Sequence, residues 1–82
     1  MNMVFEKVTD RELKDVIQYK LDLRLNGWER IADISMVYFP GDTEKIYVSA
    51  ITITDHHIAF KTSYIFYVNN YTLEYMSTDG VI

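Results

Sequence analysis

The sequence predicts an α+β domain, an N-terminal helix followed by a curved antiparallel sheet of about five strands, small and barrel-like. Three observations carry this. Apolar residues recur at positions 13, 16, 17, 21 and 25, the spacing of one helix face. Residues 46–76 then alternate apolar and polar side chains almost without a break and hold five of the seven tyrosines. Finally, 82 residues suffice for one domain, spanning 1–82, with a small core. The 49 % hydrophobic content and the aromatics fit a folded chain rather than a disordered one.

The helix is expected over about 10–25. Thr9-Asp10-Arg11-Glu12 has the pattern of a capping box, in which the Thr9 hydroxyl and the Glu12 carboxylate satisfy each other's backbone amides. Val8 and Leu13 stand at the positions of a hydrophobic staple, and Asp10, Glu12 and Asp15 favour the positive end of the dipole. Asn26-Gly27 closes the helix, with Gly27 free to take the left-handed conformation. Lys20 and Arg24 flank the apolar face and read as alkyl cover for the edge of the core more than as a strip for an anionic partner. Trp28, the only tryptophan, is expected to fold back over the helix end.

Strands are expected over about 31–39, 45–54, 57–62, 64–68 and 71–76. Pro40-Gly41-Asp42-Thr43 separates the first two as a turn. In 45–54 the apolar phase changes from Ile46, Val48 and Ala50 to Ile51 and Ile53, which predicts a bulge or bend near Ala50. Asp55-His56 reads as a tight turn. Strand 64–68 is apolar on both faces and should be central or covered by the helix. Asn69-Asn70 is suited to a two-residue turn, because Asn tolerates positive φ. The tail from Ser77 should fray.

This layout resembles the Sm-like small barrel of the Hfq family of bacterial RNA chaperones. The likeness lies in order and spacing over roughly residues 10–76: helix, ISMVYF, a turn, a bent strand into ITITDHHIAFKT, then SYIFYVNNYTLEYM. It implies a small barrel that assembles into a ring and binds RNA; a flat sheet with the helix packed across one face is the alternative fold. The family's RNA-binding residues are not matched. Its Tyr-Lys-His-Ala-Ile stretch falls on Tyr67-Val68-Asn69-Asn70-Tyr71, its Gln-Phe pair on His56-His57, and its strand-bending glycines on Ser49 and Ala50.

Charge narrows the choice of partner. Residues 1–30 carry six basic and six acidic side chains, whereas residues 31–82 carry two basic and six acidic ones, so the net −4 arises in the strand region. Nucleic-acid binding draws on clustered Lys and Arg, and that region has none. No apolar run reaches the roughly 18 residues of a membrane span, and the start MNMVFEKV lacks the character of a signal peptide. With no cysteine to suggest an oxidising compartment, a soluble cytoplasmic protein is expected.

Nothing in the sequence carries catalysis. No Ser stands in a Gly-rich elbow, three glycines are too few for a phosphate loop, and no cysteine is present. His56 and His57 are neighbours, point to opposite faces if extended, and lack further ligands at a recognisable spacing. No enzyme activity, cofactor or metal is therefore expected. The tyrosines are the better clue, because so many cannot all enter a small core with their hydroxyls satisfied, and tyrosine is enriched where proteins meet. The expected function is a small acidic protein-binding module, of the kind an inhibitor or adaptor from a phage or other mobile element would use against a host protein. Its surface would comprise Tyr47, Tyr67, Tyr71 and Tyr75, rimmed by Glu44, Asp55 and Glu74. The alternatives are an Sm-like RNA-binding ring and a structural homo-oligomer that pairs through its last strand.

Overall fold

A computed structural model describes residues 5–80. Helix α1 spans Arg11–Asp22, and four strands follow: β1 Glu29–Phe39, β2 Asp42–Thr54, β3 Ala59–Tyr67 and β4 Thr72–Asp79. Each strand pairs antiparallel with the next in the order β1-β2-β3-β4. β1 and β4 are the two edges and do not pair with each other, so the sheet is open. The expected barrel-like curl of about five strands is thus corrected to an open four-stranded meander carrying one helix.

The missing strand results from a merger. The strands expected at 57–62 and 64–68 are one: Lys61, Thr62 and Ser63 stay paired with Ile51, Ala50 and Ser49, so β3 is continuous. Phe60, Thr62, Tyr64 and Phe66 keep one period-2 phase through it. The bend expected at Ala50 is absent too. Ile46, Val48, Ala50 and Thr52 are all buried on the same face, while Ile51 and Ile53 occupy the other. What looked like a phase change is a strand that is apolar on both faces. The irregularities lie elsewhere: Ala32 is the extra residue between Ile31 and Asp33, Met76 the extra residue between Tyr75 and Ser77, and beside the first turn Phe39 pairs with Asp42, so that Thr43, Glu44 and Lys45 of β2 are skipped in the β1 register. Ser77, Thr78 and Asp79, expected to fray, pair with Ser63, Thr62 and Lys61; only residues 81–82 of that tail lie outside the described residues.

The turns use positive φ, though not always where expected. Gly41 sits at φ 76° between β1 and β2. In the connection after β2 it is His57 that is left-handed, at φ 62°, while the Thr54 hydroxyl accepts from the Ile58 N–H at 3.2 Å. In the connection after β3, Tyr71 at φ 56° takes the strained position rather than either asparagine. Asn70 contributes by accepting the Thr72 N–H on its side-chain oxygen at 3.2 Å.

α1 begins one residue later than the capping-box pattern implies. Asp10 is the N-cap, and its carboxylate accepts the Leu13 N–H at 3.1 Å. A carboxylate there also meets the positive end of the dipole, which a threonine hydroxyl would not. Asp10→Ala should therefore cost about 1 kcal/mol. Thr9→Ala should cost less than about 0.5 kcal/mol, as for a surface residue outside the cap. Urea titration of both variants checks this, and equal losses would return the cap to Thr9.

The helix also ends earlier. Arg24 N–H reaches back to the Leu21 carbonyl at 2.9 Å and Leu25 N–H to that of Asp22 at 3.3 Å, three-residue steps that tighten the last turn out of the α-helical path. Gly27 is not left-handed. The loop is held by Glu29, whose carboxylate accepts from the Asn26 backbone at 2.7 Å and its side-chain amide at 2.8 Å. Trp28 does not close over the helix; its side is 58 % exposed, and its carbonyl accepts the Asp55 N–H at 2.9 Å.

α1 packs across one face of the sheet. Leu13, Ile17 and Leu21 from the helix, with Val8, meet Met36, Ile46, Val48, Ala50, Phe66 and Leu73 from the strands in one core. Twelve helical residues span roughly 18 Å, whereas the thirteen of β2 span roughly 43 Å, so the helix covers less than half of the sheet's length. Glu6–Val8 runs along the outer edge of β1, with Tyr38 N–H donating to the Glu6 carbonyl at 2.9 Å and Val8 N–H to that of Met36 at 3.0 Å.

Candidate interaction surface

The register divides the strand residues between two faces. On the helix side, Arg24 ties the loop after α1 to the last strand: its guanidinium donates to the Leu73 carbonyl at 2.7 Å and lies 5.5 Å from the centre of the Tyr64 ring. Burial raises the Tyr64 phenol above its ordinary pKa, the nearby Arg24 charge partly offsetting this. Arg24 thus acts through its charged head, at the Leu73 carbonyl and the Tyr64 ring.

The opposite face carries no element of this chain among the described residues. Three rows of side chains run across its strands. The first is Val37, Tyr47, Ile65 and Glu74, one from each strand. The second is Ser35, Ser49, Ser63 and Ser77, and the third Asp33, Ile51, Lys61 and Asp79. Beyond the first row stand Lys45, Tyr67 and Thr72; beyond the third, Arg30, Ile53 and Ala59. The serine row forms a trough beside the ridge of Val37, Tyr47 and Ile65. Tyr47 leans across it, sharing a hydrogen bond of 2.9 Å with the Ser63 hydroxyl, and its ring meets that of Phe39 edge-on at 6.4 Å. At the margin, Phe5, Tyr38, Phe39, Pro40 and Tyr47 line an apolar hollow of about 300 Å³.

The four tyrosines singled out from the sequence are split between the two sides. Tyr47 and Tyr67 belong to the uncovered face. Tyr71 sits in the turn before β4 with its ring 5.7 Å from that of buried Phe66, on the helix side. Tyr75 is also on the helix side; its ring meets Tyr64 edge-on at 6.1 Å, and its hydroxyl donates to Thr78 at 2.9 Å. The acidic rim is dispersed as well. Glu44 and Asp55 stand at opposite ends of β2, eleven residues or roughly 36 Å apart, and only Glu74 adjoins the Tyr47 ridge. One surface made of all seven residues is not formed.

The sequence marked 64–68, with Ile65, as apolar on both faces; what it left unread is that Val37, Ile51 and Ile53 join Ile65 on the uncovered face, all four partly buried. A signal was present, because β2 and β3 are apolar in both phases. The serine row had one too, in serines spaced fourteen residues apart at 35, 49, 63 and 77. His56 and Asp55 approach to 3.7 Å at the exposed tip of the connection after β2, and no group of three or more His, Cys, Asp or Glu among the described residues is placed to hold a metal. No helix among the described residues is long and apolar enough to cross a membrane. No known protein family, curated protein or solved structure matches the chain.

Proposed function

We propose that this chain is a non-enzymatic protein-binding module that meets its partner through the uncovered face of its sheet. The observation behind this reading is that the sheet is apolar on both faces and the chain's helix lies on one. A two-faced apolar sheet is a structure that normally has a layer on each side. Tyr47 and Tyr67 supply anchors of the kind that dominate protein interfaces. Charge favours protein over nucleic acid, because Arg30, Lys45 and Lys61 on this face are balanced by Asp33, Glu74 and Asp79. An acyl-transfer role for the serines has little support: Ser63, the most buried of them, is bonded to a tyrosine hydroxyl and not to a base.

The test is crosslinking with a lysine-reactive reagent in the cells that express the protein. Crosslinks to other chains should arise from Lys45 and Lys61 several times more often than from Lys14 of α1. Equal yields from the three lysines would overturn the reading.

A further inference from the structure

We infer that the occupant of the uncovered face is a second copy of this chain, packed sheet to sheet about a two-fold axis; this rests on the reading of that face as a protein-binding surface. The face has relief that a second copy can match. A ridge (Val37, Tyr47, Ile65) runs one pleat from a shallow trough that is open at Ser35 and Ser49 and bridged at Ser63 by the chain's own Tyr47. A two-fold axis lying across the strands between these rows sets the ridge of each copy into the trough of the other. Ser49 then faces the second copy's Tyr47, Ser63 its Ile65 and Ser35 its Val37. Such an axis keeps the strands of the two sheets nearly aligned, the usual geometry of packed sheets.

Charge selects this axis over its neighbours. With it, Glu74 faces Ser77, Asp79 faces Thr72, Lys45 faces Ile51 and Lys61 faces Tyr67, so no like charges oppose. An axis along the serine row itself would set Glu74 against Asp79. One parallel to the strands, between β2 and β3, would set Asp33 against Asp79. Both arrangements place carboxylates opposite each other at a closing interface, which costs affinity.

The size of the face sits just below the lower end of stable interfaces. Four strands by the nine residues from Lys45 to Ile53 make a face of roughly 19 Å by 26 Å, about 500 Å² in plan, to which side-chain relief adds. A small stable interface needs roughly 600–1,000 Å² per partner. The isologous arrangement also buries Val37, Ile51 and Ile65 of both copies in one step.

Light scattering on a size-exclusion column at micromolar concentration tests this. The wild-type chain should run at twice its 9.7 kDa mass. Ile65→Lys should halve that mass, and so should Ser49→Trp, which fills the trough without touching the helix-side core. Tyr19→Lys on the exposed side of α1 should leave the dimer intact. Circular dichroism of each variant verifies that it is folded, and two independent variants guard against one that is not.

Four outcomes overturn the inference. They are a monomeric wild type, a dimer untouched by both face variants, a ring of six or more chains, and a dimer that only Met76→Pro on the β4 edge dissolves. A monomeric wild type whose Lys45 and Lys61 still crosslink to another protein would sink the second copy and leave the protein-binding reading standing. A monomer without such crosslinks would sink both.

Discussion

Phe66→Ala should remove the largest share of the protein's stability of any single truncation in the core. Phe66 has no exposed side chain, lies on a central strand, and meets the helix layer, the neighbouring strands and the Tyr71 ring. Truncating a buried phenylalanine typically costs about 3–5 kcal/mol, the sum of lost transfer energy and the cavity left behind. A domain of this length has roughly 4–12 kcal/mol to lose. Relaxation offers little relief, because Phe66 is held on either side by Ile46 and Leu73 in register. Loss of the near-ultraviolet aromatic signal with a melting point lowered by more than about 15 °C is the expected result. Phe60→Ala, toward the end of the sheet beyond the helix, is the matched comparison and should cost less than half as much.

Ile17→Ala has the second-largest expected effect, about 2–5 kcal/mol. Ile17 is the central residue of the buried helix stripe, fully enclosed between Leu13 and Leu21. A helix of twelve residues does not persist in water on its own propensity, so α1 depends on that stripe. Alanine is the better helix former of the two, which removes any propensity explanation for the loss. Tyr19, two residues on and 64 % exposed, should change stability by less than about 0.5 kcal/mol when replaced by Ala. Chemical denaturation monitored at 222 nm separates the two. Similar costs at both positions would mean that the helix does not dock as described.

These two residues also show what the sequence made legible. The helix stripe was readable because a 3.6-residue period is spoken by only one face, and Leu13, Ile17 and Leu21 are indeed buried. Asp10 was read only as a dipole residue, and the cap assigned to Thr9, because Thr9 and Glu12 form a familiar pattern around it; the cap falls one residue later, on the Asp10 carboxylate, which takes the Leu13 amide. The strands were harder. A period of two marks a strand with one wet face, but β2 and β3 are apolar in both phases, so a change of phase and a second buried face look alike. That ambiguity produced the bend expected at Ala50. It also hid the uncovered face, since a residue such as Ile51 cannot be assigned to a layer before its neighbours are known. The tyrosines show the same limit. Tyr47 and Tyr75 are indistinguishable in an alternating pattern, and only the register across β3 puts them on opposite sides.

The irregular margins of the sheet bear on how this protein behaves when concentrated. Along β1 the outer ladder is occupied at Met36 and Tyr38 by Glu6–Val8 and distorted farther on by the extra residue Ala32; along β4 it is broken by the extra residue Met76. Neither margin offers a long flat template for strand after strand to add. Growth by edge-to-edge recruitment, the route that leads to fibres, is therefore disfavoured at both sides of the molecule. In the dimer inferred above, the two-fold match would be complete after a single partner and leave nothing to propagate.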